Sequence, residues 1–253
     1  MSTTEAQLAE VFCSIQGEGL YLGERQIFVR FAGCNLNCQY CDSPQALSVP
    51  KEFKVEVTPG KKDLKQLPNP VTADQLIELV SGLQKPKGVT QAVVLTGGEP
   101  LLQVDFLKNF LPALKQVVPL PVYLETNGVL PGHLAEIIDL VDIIAFDIKL
   151  PSATGLSEYW REHEKALATA YHKEVFVKIV FSRESKVTEM DQAVSLIAAV
   201  DEKIPLVLQP VSPHGPVKHR PNPDQILAMQ AVARRKLSTV RVIPQTHKLL
   251  GMN

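Results

Sequence analysis

Apolar runs alternate with amphipathic stretches along most of this chain. Runs rich in Val, Ile, Leu and Phe fall at residues 11–15, 26–31, 92–95, 122–125, 143–148, 175–181, 206–210 and 240–243. Several are apolar at successive positions, which is how strands buried on both faces of a parallel sheet read. Between them the spacing predicts helices at 104–117, 133–140, 158–171 and 224–236. Thr72-Ala73-Asp74-Gln75 has capping-box form ahead of Leu76, Ile77, Leu79, Val80 and Leu83, marking a further helix start. Thr188 to Asp191 has the same form ahead of residues 193–200. Pro112, inside the 104–117 stretch, predicts a kink or a break there. Strand–helix alternation of this kind predicts an α/β fold on a parallel sheet, open or partly closed as a barrel.

Residues 48–70 break the rhythm with four prolines (Pro50, Pro59, Pro68 and Pro70) and a concentration of lysines. An excursion of that length inside a domain reads as a solvated insertion, with a lid or a partner surface as the alternative.

At 253 residues the chain suits a single barrel-type domain, 1–253, carrying the 48–70 insertion. Hydrophobic residues at 45% against 21% charged support a substantial core and exclude global disorder. A formal net charge of −1 gives no basic excess for nucleic acid, so a small metabolite is the expected partner. The opening MSTTEAQLAE has neither the basic nor the apolar region of a secretory signal. No apolar run reaches the roughly 18 residues of a membrane span. A cytoplasmic protein without membrane association is expected.

Three of the four cysteines sit together, Cys34, Cys38 and Cys41, spaced Cys-x3-Cys-x2-Cys. In a reducing compartment such crowding points to a metal rather than to disulfides. Three thiolates would leave one iron of a four-iron cluster open, and an open coordination position makes a metal reactive. Zinc is the alternative, but it wants a fourth ligand, and no second Cys pair or His pair follows. Cys13 could serve, yet its apolar surroundings equally suit a buried small side chain.

The cysteine spacing after an apolar strand, Tyr40 before the last cysteine, and Thr96-Gly97-Gly98-Glu99-Pro100 at the end of the next strand resemble the radical S-adenosylmethionine superfamily. Gln16-Gly17-Glu18-Gly19, Phe28-Val29-Arg30, Glu125-Thr126-Asn127-Gly128, Asp147-Ile148-Lys149, Gln209-Pro210 and Gln245-Thr246-His247-Lys248 are similar to the 7-carboxy-7-deazaguanine synthases within it. That resemblance runs from about Glu10 to Gly251, with 48–70 outside it.

The resemblance implies a partial (β/α)6-type TIM barrel, usually homodimeric, whose parallel sheet carries an insertion after the cluster loop. It implies a [4Fe-4S] cluster on Cys34, Cys38 and Cys41, with S-adenosylmethionine bound by Gly97, Gly98, Glu99, Asn127, Lys149 and Gln209. It implies 6-carboxy-5,6,7,8-tetrahydropterin as substrate, contacted by Gln16, Glu18, Arg30, Gly98, Glu125 and His247, and magnesium on Ser43, where the family commonly has Thr. A 5′-deoxyadenosyl radical would take hydrogen from C6, and ring contraction with loss of ammonia would follow. A donor such as flavodoxin or ferredoxin would supply the electron. Two alternatives stay open at this point, a glycyl-radical-enzyme activase and a metal-binding module without catalysis.

Overall fold

The computed structural model describes residues 5–252. In chain order the strands are β1 (Glu5–Ala6), β2 (Leu8–Ile15), β3 (Arg25–Phe31), β4 (Glu52–Glu56), β5 (Leu64–Pro68), β6 (Val71–Thr72), β7 (Ala92–Gly97), β8 (Val122–Thr126), β9 (Ile143–Asp147), β10 (Glu174–Phe181), β11 (Leu206–Pro210) and β12 (Val240–Val242). The helices are α1 (Ala73–Gly82), α2 (Val104–Val117), α3 (Pro131–Ile137), α4 (Pro151–Thr154), α5 (Trp160–Ala170), α6 (Val187–Val200) and α7 (Pro223–Arg234).

Ten strands form one sheet in the order β12-β11-β10-β9-β8-β7-β3-β2-β4-β5. From β3 to β12 every neighbouring pair is parallel. β2 lies antiparallel to β3, β4 parallel to β2, and β5 antiparallel to β4. This is the α/β, partial-barrel architecture expected, and each apolar run of the sequence became a strand.

Period-two alternation along each parallel strand sorts side chains to two faces. Ile27, Val29, Phe31, Val93, Leu95, Val122 and Leu124 belong to the large core shared with the helices. The intervening Phe28, Ala92, Val94, Tyr123, Ile143, Ala145, Phe176 and Val207 make a second, smaller apolar cluster inside the curl of the sheet. One step further along the same inner face the strands turn polar, at Arg30, Thr96, Glu125, Asp147, Lys178 and Gln209, and all six line one cavity. The functional end of the molecule is thus the carboxyl end of the parallel strands, where α/β folds gather their ligands.

The helices show where local signals held and where context overrode them. At α1 both capping-box bonds form, Thr72 Oγ1 accepting from Gln75 N and Gln75 Oε1 accepting from Thr72 N. At α6 the Thr188 box is not used. The helix begins two residues earlier, at Val187 with Lys186 as cap, and Lys186 N–H donates to Ser152 Oγ at 3.2 Å. Pro112 does not divide α2, which runs unbroken through it.

The 48–70 excursion is not merely solvated. Its β4–β5 hairpin extends the main sheet through β2 and buries Phe53, Val55 and Glu56. Glu56 accepts from the backbone N–H of Cys13, Gly60 and Lys62, tying the hairpin loop to β2. Among the described residues no helix is long and apolar enough to cross a membrane.

Candidate active site

The cavity has a volume of about 560 Å³. Cys34, Cys38 and Cys41 lie on the irregular loop between β3 and β4, and all three line it. That loop owes its shape to the strand ends around it. Gly98 N–H donates to Phe31 O at 3.1 Å, and Glu99 N–H donates to Gly33 O at 2.9 Å. A Cβ on Gly98 would collide with the Gly33 carbonyl, and one on Gly97 (φ 138°) with the Phe31 backbone, so the Gly-Gly pair is required for β7 to meet the cluster loop. Asn127 Nδ2 donates to Asn35 Oδ1 at 2.8 Å, and Gln39 N–H donates to Thr154 O at 2.9 Å. The Lys149 ammonium sits 5.4 Å from the centre of the Tyr40 ring.

The thiols suit a shared metal group because all three come together at one cavity; burial raises the pKa of Cys34 and Cys38, so a bound metal would have to hold them deprotonated. Cys13 is not among them. It is buried on β2, takes a hydrogen bond from Arg25 Nε at 3.2 Å, and does not line the cavity.

Charged groups in the cavity are mostly paired. Arg30 Nε meets Glu10 Oε1 at 2.6 Å, Lys178 meets Glu18 at 2.6 Å, Lys149 meets Asp147 at 2.7 Å, and Lys248 meets Asp42 at 3.5 Å. Burial alone would raise the Glu18 carboxyl, but the Lys178 ammonium outweighs it, helped by Gln245, and holds Glu18 down at about 2. Gln16, nearly fully buried, donates to Glu125 Oε1 at 3.1 Å, and Thr96 Oγ1 donates to Glu125 Oε2 at 2.8 Å. Gln245 Nε2 bridges Glu18 and Asp42, and His247 packs against Gly17, where a Cβ would have no room. The Gln-Gly-Glu-Gly and Gln-Thr-His-Lys segments, far apart in sequence, therefore form one wall.

Of the residues expected at the site, Gln16, Glu18, Arg30, Gly97, Gly98, Glu125, Asn127, Lys149, Gln209, His247, Ser43 and the three cysteines all line this cavity. Glu99 does not. It is fully buried beneath, accepting from Asn127 N, Leu101 N and Thr126 Oγ1, and so fixes the Asn127 turn. His163, also fully buried, grips the other side of that turn with Nε2 3.1 Å from Asn127 O. Gln209 Oε1 and Asp147 Oδ1 are buried with no partner among the described residues, which leaves acceptors for a ligand. Glu10, Asp42 and Lys178 escaped the sequence reading as site residues. The available signal was a charged residue interrupting or flanking an apolar strand, as Lys178 does in Val175–Phe181.

Residues 28–180 match the model of the Radical SAM superfamily. A 7-carboxy-7-deazaguanine synthase from Geobacter sulfurreducens is 45% identical over 252 residues, covering 99% of each chain. This chain belongs to the 7-carboxy-7-deazaguanine synthase family. A member from Methanothermobacter thermautotrophicus is 35% identical over the full length of both chains. The solved structure of QueE from Escherichia coli shares the fold at 17% identity, with a TM-score of 0.60 over 95% of this chain and 94% of that one. As a radical S-adenosylmethionine enzyme of this family, the chain uses a [4Fe-4S] cluster and S-adenosylmethionine. The activase and the non-catalytic metal module gain no support from these relatives.

Proposed function

We propose that this chain is a lyase that converts 6-carboxy-5,6,7,8-tetrahydropterin to 7-carboxy-7-deazaguanine with loss of ammonia, within 7-deazapurine and queuosine biosynthesis. The observation that carries the reading is the inner-face polar ring above an apolar floor, sharing one cavity with the three cysteines. When bound, the cluster and S-adenosylmethionine supply the radical that starts the reaction.

The chain's own groups divide the remaining work. The Glu125 carboxylate, oriented by Gln16 and Thr96, and the Glu18 carboxylate, kept ionised by Lys178, accept from the paired N–H donors of a pterin edge. Arg30 keeps Nε on Glu10 and Nη1 on Ser43; its remaining donors face the substrate carboxylate. His247 donates to the substrate, and Gly98 approaches it through backbone. Gly97, Gly98, Asn127, Lys149 and Gln209 hold S-adenosylmethionine, and Glu99 acts on it through the Asn127 turn. Ser43 Oγ with neighbouring Asp42 offers the oxygen ligands magnesium prefers. The Asp42 carboxylate also lies within 4.8 Å of ligand atoms of Glu18 and His247. A flavodoxin- or ferredoxin-type donor, a homodimer and a cytoplasmic location belong to the same reading.

The test is anaerobic. Protein reconstituted with iron and sulfide receives dithionite, S-adenosylmethionine, magnesium and 6-carboxytetrahydropterin, and mass spectrometry looks for 7-carboxy-7-deazaguanine. Formation of 5′-deoxyadenosine without that product would refute the substrate assignment.

A further inference from the structure

The charges that line the cavity pair off almost completely. Arg30 with Glu10, Lys178 with Glu18, Lys149 with Asp147, and Lys248 with Asp42 make four ion pairs between 2.6 and 3.5 Å. Two charged side chains in the wall are left over, the Glu125 carboxylate and the Lys54 ammonium. Glu125 is held by neutral donors, Gln16 and Thr96. Lys54 is exposed, lines the cavity from the 48–70 hairpin, and has no hydrogen bond or ion pair among the described residues.

Its place is fixed by register. Glu10 on β2 lies opposite Arg30 on β3 and, on its other side, opposite Lys54 on β4. Opposite residues in neighbouring strands share a face. Lys54 therefore continues the inner-face row that starts at Glu125 and passes through Thr96, Arg30 and Glu10. Leu64 of β5 and Met252 of the C-terminal segment also line the cavity, and Lys62 Nζ joins hairpin to segment by donating to Gly251 O at 2.7 Å.

We propose that Lys54 is a substrate-specificity residue that binds the carboxylate of the substrate, so that the insertion hairpin is part of the active site. The inference rests on the pterin reading above. The unpaired negative group at one end suits the N–H donor edge of the heterocycle, and the unpaired positive group at the other suits its carboxylate. Arg30 shares its charge with Glu10 at 2.6 Å, so Lys54 adds positive charge to that of Arg30 and of the magnesium placed at Ser43.

The experiment compares wild type, Lys54→Gln and Lys54→Arg as cluster-loaded enzymes, with 6-carboxytetrahydropterin and with tetrahydropterin lacking the carboxylate. Removing one charge-assisted hydrogen bond in Lys54→Gln is expected to raise the KM or Kd for the carboxylated pterin about tenfold. Lys54→Arg should recover most of that loss. Binding of the carboxylate-free pterin and the KM for S-adenosylmethionine should not move. An unchanged KM in Lys54→Gln overturns the inference while the pterin reading stands. Equal weakening of both pterins also overturns it, since a general distortion of the hairpin would do that. Wild-type enzyme that fails to turn over the carboxylated pterin overturns the reading and the inference with it.

Discussion

Lys178→Met is the most demanding test of the site's electrostatics. Lys178 Nζ lies 2.6 Å from Glu18 Oε2 and 3.8 Å from Asp147 Oδ2, and the Lys178 and Glu18 side chains are 13% and 16% exposed. The substitution keeps most of the volume and deletes the charge, leaving a buried carboxylate without its counter-ion. The Glu18 carboxyl stands at about 2 against an ordinary 4.5; at about 1.36 kcal/mol per pH unit this is worth about 3 kcal/mol. Loss of one partner of a buried pair falls in the same range. For a chain of this size, about 3 kcal/mol lowers Tm by about 6–12 °C. The sign follows from the direction of the shift. A depressed carboxyl contributes stability that is fully present above 4.5 and is lost as pH falls through about 2. The wild-type contribution should therefore be constant from pH 7.5 to 5 and fall only in more acid solution, whereas in Lys178→Met the buried, unpaired Glu18 carboxyl is pushed above 4.5, so the gap should be full at high pH and narrow as pH falls through that raised value towards 4.5. Anaerobic urea and thermal unfolding of the cluster-loaded proteins measure it. Adding Glu18→Gln completes a double-mutant cycle, in which the double variant should be less destabilised than the sum of the singles by more than about 1 kcal/mol. Additive losses, or a Tm unchanged in Lys178→Met, would refute the claim that this pair organises the cavity wall.

Gly98→Ala should cost about 2–3 kcal/mol, since the new methyl meets the Gly33 backbone carbonyl instead of a yielding side chain; iron content per chain after reconstitution should fall with it. Burial pushes the Glu99 carboxyl up to about 7, against the hydrogen bonds of Asn127, Leu101 and Thr126. The folded form then holds a proton that the unfolded form has released, so stability should decline by about 3 kcal/mol as pH rises from 4.5 past 7, and Glu99→Gln should lack that slope in pH-dependent melts. Arg30→Ala should lower kcat/KM for the pterin by about 2 kcal/mol, roughly thirtyfold, and lower uncoupled S-adenosylmethionine cleavage less; equal loss of both would contradict its role. Cys38→Ala should yield a soluble chain without product formation, checked by iron content and turnover together.

Local sequence signals were sufficient for the strands because each carries its own burial pattern. Val93 and Leu95 face the helices while Val94 faces inward, and both environments are apolar. The cluster loop was equally legible, since metal ligation demands particular residue types at short spacing. The pairing of charges was not. Glu10 and Arg30 become neighbours only through antiparallel β2–β3 register, and Lys178 reaches Glu18 from 160 residues away. The hairpin misled for a related reason: its prolines and lysines are those of a solvated loop, while the alternate residues Phe53 and Val55 pack into the core shared with the helices. At α6 the Thr188 signal was genuine in form, but Ser152 met the Lys186 N–H and moved the start of the helix.

The cluster loop itself has little regular structure, yet it must hold three ligands in place. Its geometry comes from the ends of the strands that surround it. β7 meets Phe31 and Gly33 through Gly98 and Glu99, β8 reaches Asn35 through Asn127, and Lys149 beyond β9 covers Tyr40. Behind this first layer, Glu99 and His163 hold the peptide groups on either side of Asn127. The loop therefore inherits the rigidity of the parallel sheet without spending its own residues on hydrogen-bonded structure, which leaves the thiols and the cavity-facing acceptors available. An asymmetry between stability and cluster retention follows. Substitutions that loosen the floor of the apolar inner cluster should lower global stability with modest effect on cluster retention, whereas Asn127→Ala, which cuts one tie to Asn35, should weaken cluster retention more than it lowers Tm. Parallel measurement of iron content and Tm across both sets of variants decides it, and a common proportionality between the two would show that the loop has no support of its own.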